Sequence, residues 1–168
     1  LFNHEEDRTW ETVKANIRHL VLVEGCKHII IDPISALTYH LDSSKANDAL
    51  NTIFGEVTAM ADTLGFTLYY SSHLNPPDSG APHEEGGRVK AAQFTGSRAM
   101  IKWSHLIIGL ERNTQAEDTI QRNSTTVRSM KDREHGNTGF FEVCYDPNTT
   151  DLLEVVYEAP QQGTGASY

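Results

Sequence analysis

The stretch HIIIDPIS, residues 28–35, goes from three consecutive isoleucines to a carboxylate in one step. A run of isoleucines is the composition of a strand buried on both faces. The proline after Asp32 stops any ladder there. Asp32 then has two readings: it caps the turn that follows, or the strand end holds it where chemistry is done. The same form recurs in FTLYYSS, residues 66–72, an apolar strand ending in small polar residues just before His73.

Working outward, Trp10, Val13, Ile17, Leu20 and Val21 recur at spacings of three and four, which predicts an amphipathic helix over residues 7–24, ended by Gly25. Between the two strands, Asp42 or Ser43 caps a second predicted helix that runs to Leu64 and closes at Gly65. Its inward stripe is Ala46, Leu50, Ile53, Phe54, Val57 and Ala61. After His73 a Gly- and Pro-rich loop extends to Phe94, a length that inside a compact domain marks a functional or disordered segment. A short helix over 97–103, a strand over 105–110 and a polar surface excursion over 113–123 follow. Three β-rich segments, TTVRSMK, GFFEVCYD and LLEVVY, are separated by HGNTG and DPNTTD, whose turn chemistry predicts antiparallel pairing. Residues 1–158 read as one unit, and 159–168 as a disordered tail.

Alternating strands and helices with short connections imply right-handed crossovers and a parallel sheet. In such sheets ligands bind beyond the carboxyl ends of the strands. That rule puts Asp32 and His73 on one rim.

Composition narrows the classes. With 168 residues, 38% of them hydrophobic, the chain suits one domain with a real core, and no apolar run reaches the roughly 20 residues of a membrane span. No secretory signal is visible, so Cys26 and Cys144 are expected as small buried hydrophobes and not as a disulfide. A net charge of -9 argues against a generally basic nucleic-acid binder but leaves room for a local basic strip. Trp10, Trp103, Tyr69 and Tyr70 are expected to pack, and His135 to sit in a turn. HEE at His83 lacks the second histidine of a zinc helix, and no nucleophile elbow is present.

Three elements carry candidate chemistry. A carboxylate at a parallel-strand end suits a hard cation such as Mg²⁺, with phosphates supplying further ligands. His73 is placed to sense a ligand on that rim. In MKDREHGNTG, residues 130–139, Lys131 and Arg133 lie two apart on a strand and so project from one face. Two cations together suit a phosphate, although a solvated charged turn would look the same.

Order and spacing bring these elements together. HEEG (83–86), GSRA (96–99), IIGLERN (107–113) and MKDREHGNTG, following the two strand ends, resemble the C-terminal part of the RecA-like motor domain of hexameric replicative DNA helicases. The likeness is to the bacteriophage primase–helicase branch, with the bacterial DnaB helicases and the mitochondrial Twinkle helicase further off, and it covers residues 26–154. It implies an α/β fold with a central, mostly parallel sheet flanked by helices and antiparallel C-terminal strands. It further implies that Asp32 is the Walker B aspartate holding Mg²⁺, that His73 senses the γ-phosphate, and that Arg133 is an arginine finger reaching a neighbouring subunit's site beside Lys131. The implied function is a motor driven by ATP or another NTP or dNTP, moving 5′ to 3′ on single-stranded or forked DNA. The implied assembly is a homo-oligomeric ring of six in the host-cell cytoplasm, with primase and polymerase as replisome partners.

The pattern is incomplete. No G-x-x-x-x-G-K-[ST] phosphate loop is present, and the family's catalytic glutamate also lies upstream of the Walker B strand. The chain is therefore expected to be the C-terminal part of a larger protein, inactive alone. The phage branch has lysines just after the histidine, where this chain has Asn75, Ser79 and Ala81. The DNA contacts expected in their stead are Arg88, Lys90, Arg98 and Lys102, with backbone N–H groups at Gly86, Gly87 and Gly96. Lys102 stands where the family commonly has a glutamine, and Thr95 where the phage branch often has an arginine. The rival readings are a RecA-type ATPase of the recombinase or plasmid-replication kind, and a non-catalytic DNA-binding ring module.

Overall fold

The computed structural model describes residues 9–155. The expected helix start at Asp7 and the tail beyond 158 lie outside this range. Helix α1 (Trp10–Leu22) begins at Thr9, whose hydroxyl accepts the Thr12 N–H. Strand β1 (His28–Ile31) follows, then a short 3₁₀ turn (Ile34–Thr38) and helix α2 (Ser43–Leu64). Gly65, at φ 70°, ends α2 in the left-handed conformation open to glycine, and returns the chain to β2 (Thr67–Tyr70). Helix α3 (Ser97–Trp103) leads to β3 (Leu106–Glu111). The excursion after β3 contains helix α4 (Thr119–Asn123), capped by Asp118, before β4 (Ser124–Asp132), β5 (Gly139–Tyr145) and β6 (Leu152–Glu154).

The strands form two sheets. β1 and β2 pair in parallel, with Ile31 opposite Tyr70, and β3 to β6 form an antiparallel meander in chain order. The α/β class and the antiparallel C-terminal strands are as the sequence implied. Within the described residues the parallel part is the smaller one.

Helix α2 organises the core from both sides. Leu50, Ile53 and Phe54 pack with Ile34, Leu37, Phe94, Met100 and Ile107, while Val57 and Met60 pack with Ile17 and Val21 of α1, Ile29 and Phe66. Trp10 and Trp103 pack against these clusters as expected, their indole N–H groups donating to Glu56 and Asn51 at 2.9 and 3.0 Å.

One expectation is corrected. The triple isoleucine is not covered on both faces: Ile29 is buried, whereas Ile30 is 74% exposed. Successive strand residues point to opposite faces, and among the described residues α1 and α2 cover only one. Tyr69 belongs to the open face, half exposed with its hydroxyl 3.3 Å from His28 Nδ1, while Tyr70 packs on Phe54. The meander is likewise one-sided, since β3 buries Ile107 and Glu111 but exposes Leu106, Ile108 and Leu110. Both cysteines are unpaired and half-buried.

The long loop after His73 is tied down. A Leu74–Phe94 bridge closes its base, with Asn75 N–H donating to Gln93 O at 2.7 Å and Thr95 N–H to His73 O at 2.9 Å. Residues 82–87 form a tight turn bridged to Asn113 through Glu85. Gly87 is sterically required, because a Cβ there would lie 2.0 Å from the Ala81 carbonyl oxygen. Gly87→Ala should therefore force the backbone apart and cost about 1–3 kcal/mol. A lowered thermal midpoint with faster protease cleavage inside residues 73–94 is the expected result, and an unchanged melt would refute the close approach.

Candidate functional site

Parallel pairing sets the rim. Ser71 N–H continues the ladder to Ile31 O at 3.1 Å, so Asp32 and Ser71 are the residues that leave β1 and β2 side by side. Ser71 Oγ donates to Asp32 Oδ1, and Ile34 N–H returns to Ser71 O at 3.0 Å. The Asp32 carboxylate is exposed. It is hydrogen-bonded to a neighbouring strand's hydroxyl, so it is not simply the cap of its own turn. His73 is exposed two residues beyond Ser71, its carbonyl fixed by Thr95. A carboxylate beside a hydroxyl is a hard-oxygen donor set that fits Mg²⁺ when phosphate and water complete the coordination. Among the described residues no group of three or more His, Cys, Asp or Glu side chains could hold a metal by itself.

Lys131 and Arg133 project together, as strand alternation required. Both meet the C-terminal end of α3: Lys131 Nζ donates to Ile101 O, and Arg133 Nη2 to Lys102 O. Free carbonyls at a helix C-terminus attract cations. Partial burial pushes the Lys131 ammonium below its ordinary value, and the neighbouring Arg133 adds to the effect. Arg133 is exposed. Between them Asp132 accepts the N–H groups of Glu134 and His135, both at 3.0 Å, which forms the turn expected at His135.

The basic candidates divide into two groups. Arg98 and Lys102, one helical turn apart on α3, line a cavity of about 530 Å³ with Asn47, Asp48 and Asn51 of α2. Lys102 also lies over the Trp103 ring at 4.8 Å. Arg88 and Lys90 are exposed on the loop strand that runs beside Glu111. The glycines need correction. Gly86 N–H donates to His83 O at 3.1 Å and Gly87 N–H to Pro82 O at 3.0 Å, so both donors are spent inside the turn and do not await phosphate. Gly96, at φ 76°, begins α3 against Leu50, where a Cβ would come within 2.5 Å of Leu50 Cδ1.

The sequence reading gave no role to the best-built polar contact. Glu111, 7% exposed, receives a two-pronged bond from Arg128, Nε to Oε1 at 2.7 Å and Nη2 to Oε2 at 2.8 Å. Val89 N–H donates to the same carboxylate at 2.9 Å. This carboxylate clamps the glycine-rich loop to the meander. Its signal was present in IIGLERN, where an acid falls on the buried phase of an alternating strand. The Arg128 bonds hold its carboxyl below the usual value, with the Val89 N–H assisting.

A lowered folded-state pKa means that the stabilisation is complete above the unfolded value near 4.5 and is lost as pH falls through the folded value. Glu111→Gln should cost about 3 kcal/mol at neutral pH, because Arg128 is left half-buried without its counter-charge. Urea melts of parent and variant should converge as the pH is lowered beneath the carboxylate range. A pH-independent gap would mean that packing, and not charge, is lost.

No protein-family model matches the chain. It is 33% identical over 115 residues to the DNA helicase/primase of Enterobacteria phage T3, a match covering 68% of this chain and 20% of that protein. Among solved structures it is similar to a helicase ATPase domain, with a TM-score of 0.61 and 16% identity, covering 88% of this chain and 50% of that one. The chain thus spans one fifth of the curated relative and half of the solved domain.

Proposed function

We propose that this chain, by sequence and fold the C-terminal part of a RecA-like motor domain of the bacteriophage-type DNA helicases, supplies one side of a nucleotide-hydrolysing site and part of a path for single-stranded DNA. The observation that carries the proposal is the pair of adjacent parallel strand ends, which brings Asp32, Ser71 and the approach to His73 to one rim.

On this reading Asp32, oriented by the Ser71 hydroxyl, holds Mg²⁺, whose bound form neutralises phosphate charge. The exposed imidazole of His73 lies where the terminal phosphate of ATP or another NTP or dNTP ends, and its carbonyl is anchored so that the ring moves with the loop. Arg133 serves a neighbouring subunit's site. Its guanidinium is exposed, and its bond to the α3 carbonyl is one that a phosphate can replace with a stronger charge-assisted contact. Lys131 stands beside it. A finger in trans requires a ring, taken here as a hexamer. Arg88, Lys90, Arg98 and Lys102, with the Gly96 backbone, contact the DNA phosphates, and the affinity falls with salt. Travel from 5′ to 3′ and coupling to primase and polymerase complete the proposal.

The relay is tested at Arg133. In the full-length protein carrying this chain, Arg133→Ala should lower DNA-stimulated hydrolysis about a thousandfold while nucleotide binding is retained. Hydrolysis at the parental rate would refute the finger. Loss of binding together with hydrolysis would point instead to a role within its own subunit's site.

A further inference from the structure

A cleft opens beside the rim, bounded by Pro33, Ser35 and Ala36 at the start of the 3₁₀ turn, Tyr39 at its end, and His73 and Thr95 across from them. Its volume is about 390 Å³, within the range of small-ligand sites. Among the described residues no carboxylate, lysine or arginine lines it, so its chemistry is that of an uncharged guest. Tyr39 is 76% exposed. Its neighbour His40 meets it in a T-shaped contact, centroids 5.6 Å apart at 79°, which leaves at least one face of the Tyr39 ring open. The Ser35 hydroxyl oxygen is buried without a hydrogen-bond partner, an arrangement that leaves a polar atom to be satisfied. The opposite wall is fixed, since Thr95 donates to His73 O at 2.9 Å and accepts from Ser72 Oγ at 3.1 Å.

An open aromatic face, an apolar floor and a few neutral polar groups suit a planar heteroaromatic ring with hydrogen-bonding edges. We propose that this cleft receives one base of single-stranded DNA, stacked on Tyr39, with the Ser35 hydroxyl free to bond its edge. The guest is a base of a strand and not of a free nucleotide, because Thr95 and His73 close the base of the same glycine-rich loop whose Arg88 and Lys90 are assigned to DNA phosphates. This inference rests on the DNA path proposed above, adding a base contact to its backbone contacts. Stacking of this kind tolerates any base.

The test uses the full-length protein carrying this chain, an oligothymidylate and an abasic oligonucleotide of equal length, with fluorescence anisotropy at fixed salt. Tyr39→Ala should weaken oligothymidylate binding about tenfold and leave abasic binding unchanged, and Tyr39→Phe should restore the parental affinity. Equal losses on both oligonucleotides, or none on either, would overturn the stacking contact while leaving the DNA path intact. A raised KM for nucleotide with unchanged DNA affinity would reassign the cleft to the nucleotide's base and overturn it too. Failure of the parent protein to bind either oligonucleotide would sink the DNA path itself. Tyr39 is exposed, so an unchanged thermal midpoint for both variants is expected, and it separates lost contact from lost fold.

Discussion

Two short strands running in the same direction, hydrogen-bonded with Ile31 opposite Tyr70, constrain everything at the candidate site. Parallel pairing makes both chains leave the sheet at one edge, and neither chain can continue the ladder there. At β1 a proline follows the carboxylate. At β2 the chain turns into a segment that pairs with residues 93–95. The Asp32–Ser71 hydrogen bond is the consequence, joining the two exits through their first side chains. The cross-over that permits this is α2, whose Leu50, Phe54 and Val57 are almost fully buried. A shift of that helix would move the rim.

The second constraint is the Glu111–Arg128 clamp. It sits far along the chain from the rim, yet its carboxylate also takes the Val89 N–H, so the meander and the glycine-rich loop are held together. Bidentate geometry fixes direction as well as distance. The loop returns from Val89 to Phe94 and Thr95, which are the residues that brace His73. A buried ion pair is thereby linked to the position of a candidate sensor through a few hydrogen bonds of backbone.

Cations on this acidic chain are concentrated where helix ends and loops can use them. Lys131 and Arg133 rest on the last carbonyls of α3, while Arg98 and Lys102 occupy the side of that helix facing α2. One short helix therefore separates the residues proposed for a neighbour's nucleotide from two of those proposed for DNA. Apolar side chains remain on the other faces: Ile30 on β1, Leu106, Ile108 and Leu110 on β3, and Phe141 on β5 are all about half exposed or more.

The sequence by itself determined the elements and their order. Periodicity located α1 and α2, glycine and proline marked their ends, and apolar runs ending in Asp32 and in Ser71–Ser72 identified the strand exits. These are local signals, set by backbone preference and by which residues repeat on one face. The alternation of Lys131 with Arg133 was legible for the same reason. Only the tertiary structure decided that Ile30 is open to solvent, because three isoleucines look alike whichever layers cover them. Only it decided that Gly86 and Gly87 spend their N–H groups inside a turn, and that Glu111 is a buried clamp. Such facts depend on which distant residue arrives beside a given atom, Arg128 beside Glu111 or His83 beside Gly86, and spacing along one chain carries no record of that.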